Sequence, residues 1–469
     1  MVKTKIVCTL GPACSDEKTI KKMINASMDC ARINMSHGTP EGVLPYIEKV
    51  KNLRTEMHRS IAIMIDTKGP ECRIGTFKKG EIFLKKSQIF TLYNKTVLGD
   101  ENGVSYSYKK LFEDVKPNNK ILVNDGLIVL KVIEVSNKDI RTKVVTGGKL
   151  TSRKSMFLPG IKLGIPFLTK EDKMDLKFAC EQNVDYVAAS FVSNKEDVIS
   201  LRNYLNKFGG QNIKIISKIE NASAVKNIDD IIEASDGIMV ARGDLGVEMP
   251  IEKLPTLQKI IIEKTLEAGK ISITATEMLE SMTKSIRPTR AEVSDVANAV
   301  YDKSGAIMLS GETSVGINPE NVVKAMAKIA KSAEENKKFI SLSTDFSRKN
   351  KVESLCHSAC LLAKEVGAKA IVCFTQTGKT ALLMAKFRPV QPIVAITMNE
   401  KVYNQLALCY NVESKVAVML DSMDKIISQA NKQVKDCGLA KAGDSIVITT
   451  GFPVKNCRET NVVISHIVK

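Results

Sequence analysis

Lys218 and Glu220 stand two residues apart where one apolar run, 213–216, gives way to charge. Asp244 closes a second such run, 237–241, after a helical segment through Ile228, Ile231 and Ile232. In an extended chain, residues two apart face the same side, so the ammonium and the first carboxylate share a face. Glu220 and Asp244 are hard oxygen donors that suit Mg2+ or Mn2+ while leaving positions for water and a substrate phosphate. An ammonium between them neutralises charge on a phosphoryl group in transfer, a reaction that asks the protein for positioning and electrostatics. The plainer alternative is a buried salt-bridge cluster that fixes the fold.

Other residues join this set. Arg32, Asn34 and Ser36 alternate along the run 30–35 and its end, and so are expected to point one way. Arg32 offers a bidentate grip on phosphate or carboxylate. Asn34, Ser36, Asp66 and Thr67 supply oxygens for a weakly charged cation, and Arg73, past Gly69-Pro70, is a second anion clamp. Further along, Thr375, Thr377, Gly378, Lys379 and Thr380 invite a P-loop reading, but Cys373 stands where that motif requires glycine. What remains is three hydroxyls, a lysine and a helix expected from Ala381, which make either a phosphate cradle or an ordinary β–α turn.

Strand-like runs at 5–10, 30–35, 61–65, 185–192, 213–216, 237–241, 271–276 and 305–309 position these groups, each ending in polar or glycine residues. Helical stretches separate most of them; 17–28, with Ser15 as its N-cap, is one. The pattern predicts an α/β fold built on a (β/α)8 TIM barrel, with chemistry at the C-terminal rim of the strands. Between 70 and 164 the helical period vanishes and alternating runs at 88–93, 121–123, 127–135 and 141–145 take over. They predict a small β-barrel inserted as a lid over the barrel mouth, or a mere insertion without a gating role. A polar link at 341–350 leads to strands at 370–374, 392–397, 415–419 and 445–449, a separate C-terminal α/β domain. The expected division is 1–69 and 165–340 for the barrel, 70–164 for the lid and 341–469 for the C-terminal domain.

The chain has 469 residues, enough for several cores. Its net charge of +17 favours anionic partners, yet the lysines form no stripe and Trp is absent, which argues against nucleic acid. No apolar run reaches membrane-spanning length. The eleven cysteines are scattered without a Cys-x-x-Cys pair, as in a reduced, cytoplasmic protein. Cys356, His357 and Cys360 are the one cluster with metal-ligand character, although an i,i+4 cysteine pair on a helix is more often packing.

With these residues in place, the chain resembles the pyruvate kinases, of the bacterial type with a short N-terminus. The matching motifs are TKIVCTLG at 4–11, ARINMSHG at 31–38, DTKGPECR at 66–73, IISKIEN at 215–221 and ASDGIMVARGDLG at 234–246. TATEMLESM at 274–282, RPTRAEVSDVANA at 287–299 and MLSGET at 308–313 follow in order.

The resemblance implies phosphoryl transfer from phosphoenolpyruvate to ADP, giving pyruvate and ATP, the last step of glycolysis. It implies that Lys218 stabilises the phosphoryl group in flight and that Glu220 and Asp244 hold Mg2+ or Mn2+. Arg32 would touch the substrate phosphate, while Gly243 and Thr276 hold its carboxylate and Thr276 serves enolate protonation. Asn34, Ser36, Asp66 and Thr67 would hold K+, and Asn34, His37, Arg73 and Lys154 would lie towards the nucleotide. A C-terminal effector site for a sugar phosphate and a homotetramer complete the expectation.

The chain departs from the family in three places. Glu277 replaces a usual glutamine, Arg458-Glu459-Thr460-Asn461 replaces Gly-Thr-Thr-Asn, and Cys72 replaces an aliphatic residue. Rival readings are a lyase on pyruvate-like acids, against which the Arg73 and Lys154 clamp argues, and a silent scaffold, against which Lys218, Glu220 and Asp244 argue.

Overall fold

The structure is a computed structural model, and it describes residues 2–161, 163–336, 350–418, 420–454 and 459–469. Most of the expected link at 341–350, together with Lys455 and Arg458, lies outside the described residues.

Eight parallel strands close a barrel: β1 (Lys5–Thr9), β2 (Cys30–Asn34), β3 (Ala62–Asp66), β4 (Tyr186–Ala189), β5 (Lys214–Ile219), β6 (Gly237–Ala241), β7 (Ile271–Ala275) and β8 (Ala306–Leu309). Each pairs with its neighbours in sequence, and β8 returns to β1. Both faces of these strands are covered, which explains their nearly unbroken apolar character. Val7, Cys30, Met64, Ala188, Ile216 and Met308 fill the barrel axis, while Ile6, Ile33, Ile63, Ile65, Ile215 and Val240 pack under the helices.

The pleat then dictates the rim. Counting on by two from the axial residues brings Thr9, Arg32, Asp66, Ser190, Lys218 and Ser310 to the inner face at the C-terminal end.

The opposite mouth is closed by the C-terminal domain. Its sheet has the order β11-β10-β9-β12-β13, from β9 (Ile371–Phe374), β10 (Ile393–Thr397), β11 (Val412–Val416), β12 (Ser445–Thr450) and β13 (Val462–Ile467). All pairs are parallel except β12 with β13. Just before β11, a 3-10 turn (Leu406–Leu408) pushes Ala407 and Leu408 into the axial core. Burying a leucine this way is worth about 1.5–3 kcal/mol. Beside it, Gln405 Nε2 donates to Asn212 O at 2.7 Å and Tyr186 Oη donates to Gln405 O at 2.7 Å.

Three local expectations are corrected. The strand expected at 415–419 lies at Val412–Val416, because pairing with β10 starts where the 3-10 turn releases the chain; beyond it Ala417 still packs into the core while Val418 is 80% exposed. The helix expected at 17–28 is Glu17–Asn25, capped by Asp16, which accepts from Thr19 N at 2.8 Å, and not by Ser15. The single segment through Ile228 is two helices, Ala222–Lys226 and Ile228–Ala234, with all three isoleucines buried.

The insertion after β3 is a seven-stranded sheet with a separate two-stranded ribbon. Its edge strands, Cys72–Arg73 and Gly103–Ser105, meet through an Ile74–Tyr106 bridge and a Gly75 N to Ser105 O bond of 2.7 Å, so the sheet closes on itself. The sheet leaves the barrel at Gly69, in the left-handed region at φ 74°, whose amide donates to Asp172 Oδ1 at 2.9 Å. At its far end, left-handed residues Asn124, Asp125 and Gly126 make a tip that faces Val247 on the helix Arg242–Glu248.

Candidate active site

At the rim, one carboxylate organises the others. Asp66, 1% exposed, receives Arg32 Nε at 2.7 Å on Oδ2 and Lys218 Nζ at 3.2 Å on Oδ1. Arg32 Nη1 donates to Thr9 Oγ1 at 2.8 Å, which fixes the guanidinium against β1. Lys218 Nζ also donates to Ser190 Oγ at 2.7 Å and lies 2.8 Å from Glu220 Oε1. Burial works against the Lys218 ammonium, but Asp66 and Glu220 outweigh it and hold its pKa above the ordinary lysine value. Burial likewise opposes the Asp66 carboxylate, and Arg32 with Lys218 overcomes it, so Asp66 stays ionised below its usual range.

Glu220 and Asp244 behave differently. Burial raises the Glu220 pKa despite Lys218, and the neighbouring Asp244 pushes the same way. Asp244 is raised by burial as well, with Glu71 and Asp125 of the inserted segment adding to it. Glu220 Oε2 accepts from Phe191 N at 2.6 Å, whereas Oε1 is buried and receives no hydrogen bond of ordinary geometry among the described residues. Two crowded carboxylates that share one ammonium, and whose pKa values are raised all the same, fit a divalent cation that adds positive charge.

The remaining expected residues are placed unevenly. Gly243 N donates to Thr276 Oγ1 at 2.8 Å, so those two are together at the ends of β6 and β7. Ser36 is not on the second strand, which ends at Asn34; it lies in a 3-10 turn (Met35–His37) whose amide donates to Asn34 Oδ1 at 3.1 Å. Thr67 Oγ1 accepts from Ser190 N at 3.2 Å beside Asp66. His37 is exposed and Lys154 half-buried. Arg73 is not an open clamp: Nε donates to Glu71 Oε2 at 2.7 Å, and Ser155 Oγ donates to Glu71 Oε1 at 3.2 Å. Glu277 is exposed, with left-handed backbone, and acts on Glu280, whose pKa burial, Glu312 and Glu277 all raise.

In the C-terminal domain, the helix begins at Lys379 and not at Ala381. Thr375 Oγ1 accepts from Gly378 N at 3.0 Å, and the Thr380 and Thr460 hydroxyls bond each other at 2.8 Å. Thr375, Thr377, Lys379 and Thr380 line a cavity of about 350 Å³ together with Phe374, Ile396, Leu420 and Glu459. The metal alternative at Cys356 and Cys360 meets a different environment: both are buried, with thiols 4.0 and 3.9 Å from the carbonyls of Thr380 and Met384.

Ser190, Thr9 and Phe191 were not foreseen from sequence, and Arg242, at the charged end of the run 237–241, had no role assigned. Ser190 was findable, since it continues the inward series of Tyr186 and Ala188. Phe191 works through a left-handed amide (φ 57°), which carries no signal in residue type.

A closed barrel whose rim holds a lysine, an arginine and crowded carboxylates suits phosphoryl transfer by charge neutralisation, and comparison with known proteins shows the class to be phosphotransferase. Residues 1–323 match the family model described as pyruvate kinase, barrel domain, and residues 353–464 match pyruvate kinase, alpha/beta domain. A pyruvate kinase of Clostridium perfringens is 44% identical over 469 residues, covering 99% of each chain. One from Clostridium acetobutylicum is 41% identical over the whole of both chains, and one from Geobacillus stearothermophilus is 41% identical over 99% of this chain and 80% of its own. The chain belongs to the pyruvate kinase family.

Proposed function

We propose that this enzyme moves the phosphoryl group of phosphoenolpyruvate to ADP, releasing pyruvate and ATP as the last step of glycolysis. The observation that carries this reading is the fixed ammonium of Lys218, held between Asp66, Ser190 and Glu220 at the barrel rim. Arg32 binds the substrate phosphate from the opposite side of Asp66. Gly243 N and Thr276 Oγ1 receive the substrate carboxylate, and Thr276 with water returns a proton to the enolate. Lys218 stays charged throughout and meets the phosphoryl group where its negative charge is spread during transfer. Glu220 and Asp244 hold Mg2+ or Mn2+, which when bound neutralises phosphate charge.

Asn34, Ser36, Asp66 and Thr67 form the K+ pocket in this reading. Arg32 and Lys218 face three carboxylates, Asp66, Glu220 and Asp244, so the rim has room for added positive charge. Asn34, His37, Arg73 and Lys154 serve the nucleotide, with Arg73 exchanging Glu71 for ADP phosphate as the lid (70–164) moves over the barrel (1–69 and 165–340). The C-terminal domain (341–469) takes a sugar phosphate in the cavity at 375–380, where Thr377 and Lys379 supply the donors. We place the protein in the cytoplasm as a homotetramer; free buried thiols fit a reducing compartment. No helix among the described residues is long and apolar enough to cross a membrane.

The test is an assay of purified protein with phosphoenolpyruvate, ADP, Mg2+ and K+. ATP and pyruvate in equal amounts are expected; pyruvate and inorganic phosphate without ATP would be hydrolysis and contradict transfer to ADP, and no turnover leaves the lyase and scaffold alternatives.

A further inference from the structure

Two successive residues after β7, Thr276 (φ 71°) and Glu277 (φ 53°), hold left-handed backbone without being glycine. Threonine is β-branched and especially ill suited to that region. Such a conformation persists only where its surroundings over-determine it. Here the restraint comes from one side chain on the neighbouring strand end. Arg242 Nη2 donates to Thr276 O at 2.7 Å. The same guanidinium forks onto Asp295, with Nη1 to Oδ1 and Nη2 to Oδ2 both at 2.7 Å.

Asp295 sits in the helix Arg290–Tyr301, whose start is fixed by a capping box between Thr289 and Glu292. The Arg242 side chain is 10% exposed and the Asp295 side chain 33%, so the fork works largely out of solvent. Three elements are thus tied together: the end of β6, the turn after β7 and the helix that follows. What this fixes is chemical. Thr276 Oγ1 accepts from Gly243 N at 2.8 Å and donates to Ala275 O at 2.6 Å, so the two donors of the subsite are held side by side and turn from these partners to a carboxylate when one binds. Relaxed to ordinary extended backbone, Thr276 would swing that hydroxyl away from the Gly243 amide.

We propose that Arg242, held by Asp295, is the positioning residue for the carboxylate subsite formed by Gly243 N and Thr276 Oγ1, and so sets affinity for the phosphoryl donor but not for the nucleotide. The proposal rests on the reading of that subsite given above. A lysine cannot replace this arginine, because one ammonium lacks the planar fork that reaches a carboxylate and a carbonyl together.

The test compares wild type with Arg242→Lys, Arg242→Ala, Asp295→Asn and the double variant Arg242→Ala/Asp295→Asn. Separate KM values for phosphoenolpyruvate and ADP, the thermal midpoint and a crystal structure of Arg242→Lys are measured. The KM for phosphoenolpyruvate should rise about tenfold or more in Arg242→Ala, with the KM for ADP within about twofold. The double variant should be no worse than Arg242→Ala alone, as expected of residues acting as one unit. In the Arg242→Lys crystal, Thr276 should leave the left-handed region. The proposal is overturned if the KM for phosphoenolpyruvate stays within about twofold of wild type. It is equally overturned if both KM values rise together as the thermal midpoint falls, or if Thr276 keeps its left-handed φ. Should wild type transfer no phosphate to ADP, the functional reading fails, and the Thr276 conformation in Arg242→Lys still decides this proposal.

Discussion

Lys218 Nζ and Glu220 Oε1 stand 2.8 Å apart, yet that oxygen receives no hydrogen bond of ordinary geometry among the described residues. The ammonium directs its protons to Ser190 and Asp66 instead. Glu220 Oε1 is thus ion-paired with the ammonium while remaining open to a cation as a ligand oxygen. Lysine and metal ligand are therefore neighbours without being each other's full partners.

The junction of the barrel with the inserted sheet yields a pH prediction. Asp175 on the helix Lys170–Glu181 lies 3.6 Å from Lys68, next to Gly69, and burial pushes its pKa up to about 6, with Lys68 opposing and Asp172 adding to it. A carboxyl whose folded pKa is raised binds more protons in the folded than in the unfolded state, so its effect on stability worsens as pH rises from about 4 to 6. Asp175→Asn removes that effect. The thermal midpoint of Asp175→Asn relative to wild type should climb between pH 4 and 7, by at most about 3 kcal/mol in stability. A difference that is flat across this range contradicts the assignment.

The second prediction concerns the monovalent cation. Glu71 accepts from Arg73 and Ser155 and presses electrostatically on Asp244, so it keeps the rim acidic. Wild-type turnover should require K+, and Glu71→Lys should relax that requirement by supplying a fixed positive charge. Initial rates in buffer free of sodium and potassium decide it; full wild-type activity there refutes the K+ pocket.

The barrel was legible because its signal is periodic. Each strand ended in polar residues, and the alternation of Ala62, Met64 and Asp66 alone predicts an inward carboxylate. The boundary at Ser36 was lost because a 3-10 turn interrupts the pleat without altering residue types. β11 was displaced because its sequence, VESKV, carries charge at an edge, while Val418 in the more apolar stretch beyond it faces solvent. The pairing of Arg73 with Glu71 is an i,i+2 contact whose side-chain geometry residue type does not specify, and the bond from Lys218 to Ser190 joins two strand ends that only the closed barrel brings together.

The effector reading predicts activation by a sugar phosphate, fructose 1,6-bisphosphate first and a monophosphate or AMP second. Thr375 and Thr380 spend their hydroxyls inside the domain, so Lys379 and Thr377 carry most of the recognition. Binding should lower the half-saturating phosphoenolpyruvate concentration and reduce sigmoidicity. Lys379→Glu should abolish this and leave the unactivated rate intact. Equal activation of both proteins places the effector elsewhere, and no activation of wild type makes the loop an ordinary turn.

The most direct measurement follows both products in Lys218→Met and wild type, with Mn2+ binding measured alongside. Wild type should form ATP and pyruvate one for one. Lys218→Met should still bind Mn2+ through Glu220 and Asp244 but lose orders of magnitude in kcat, because the ammonium acts chiefly in the transition state. If Lys218→Met keeps more than about a tenth of wild-type kcat, a loss under about 1.4 kcal/mol, Lys218 does not stabilise the transferring group and the account fails.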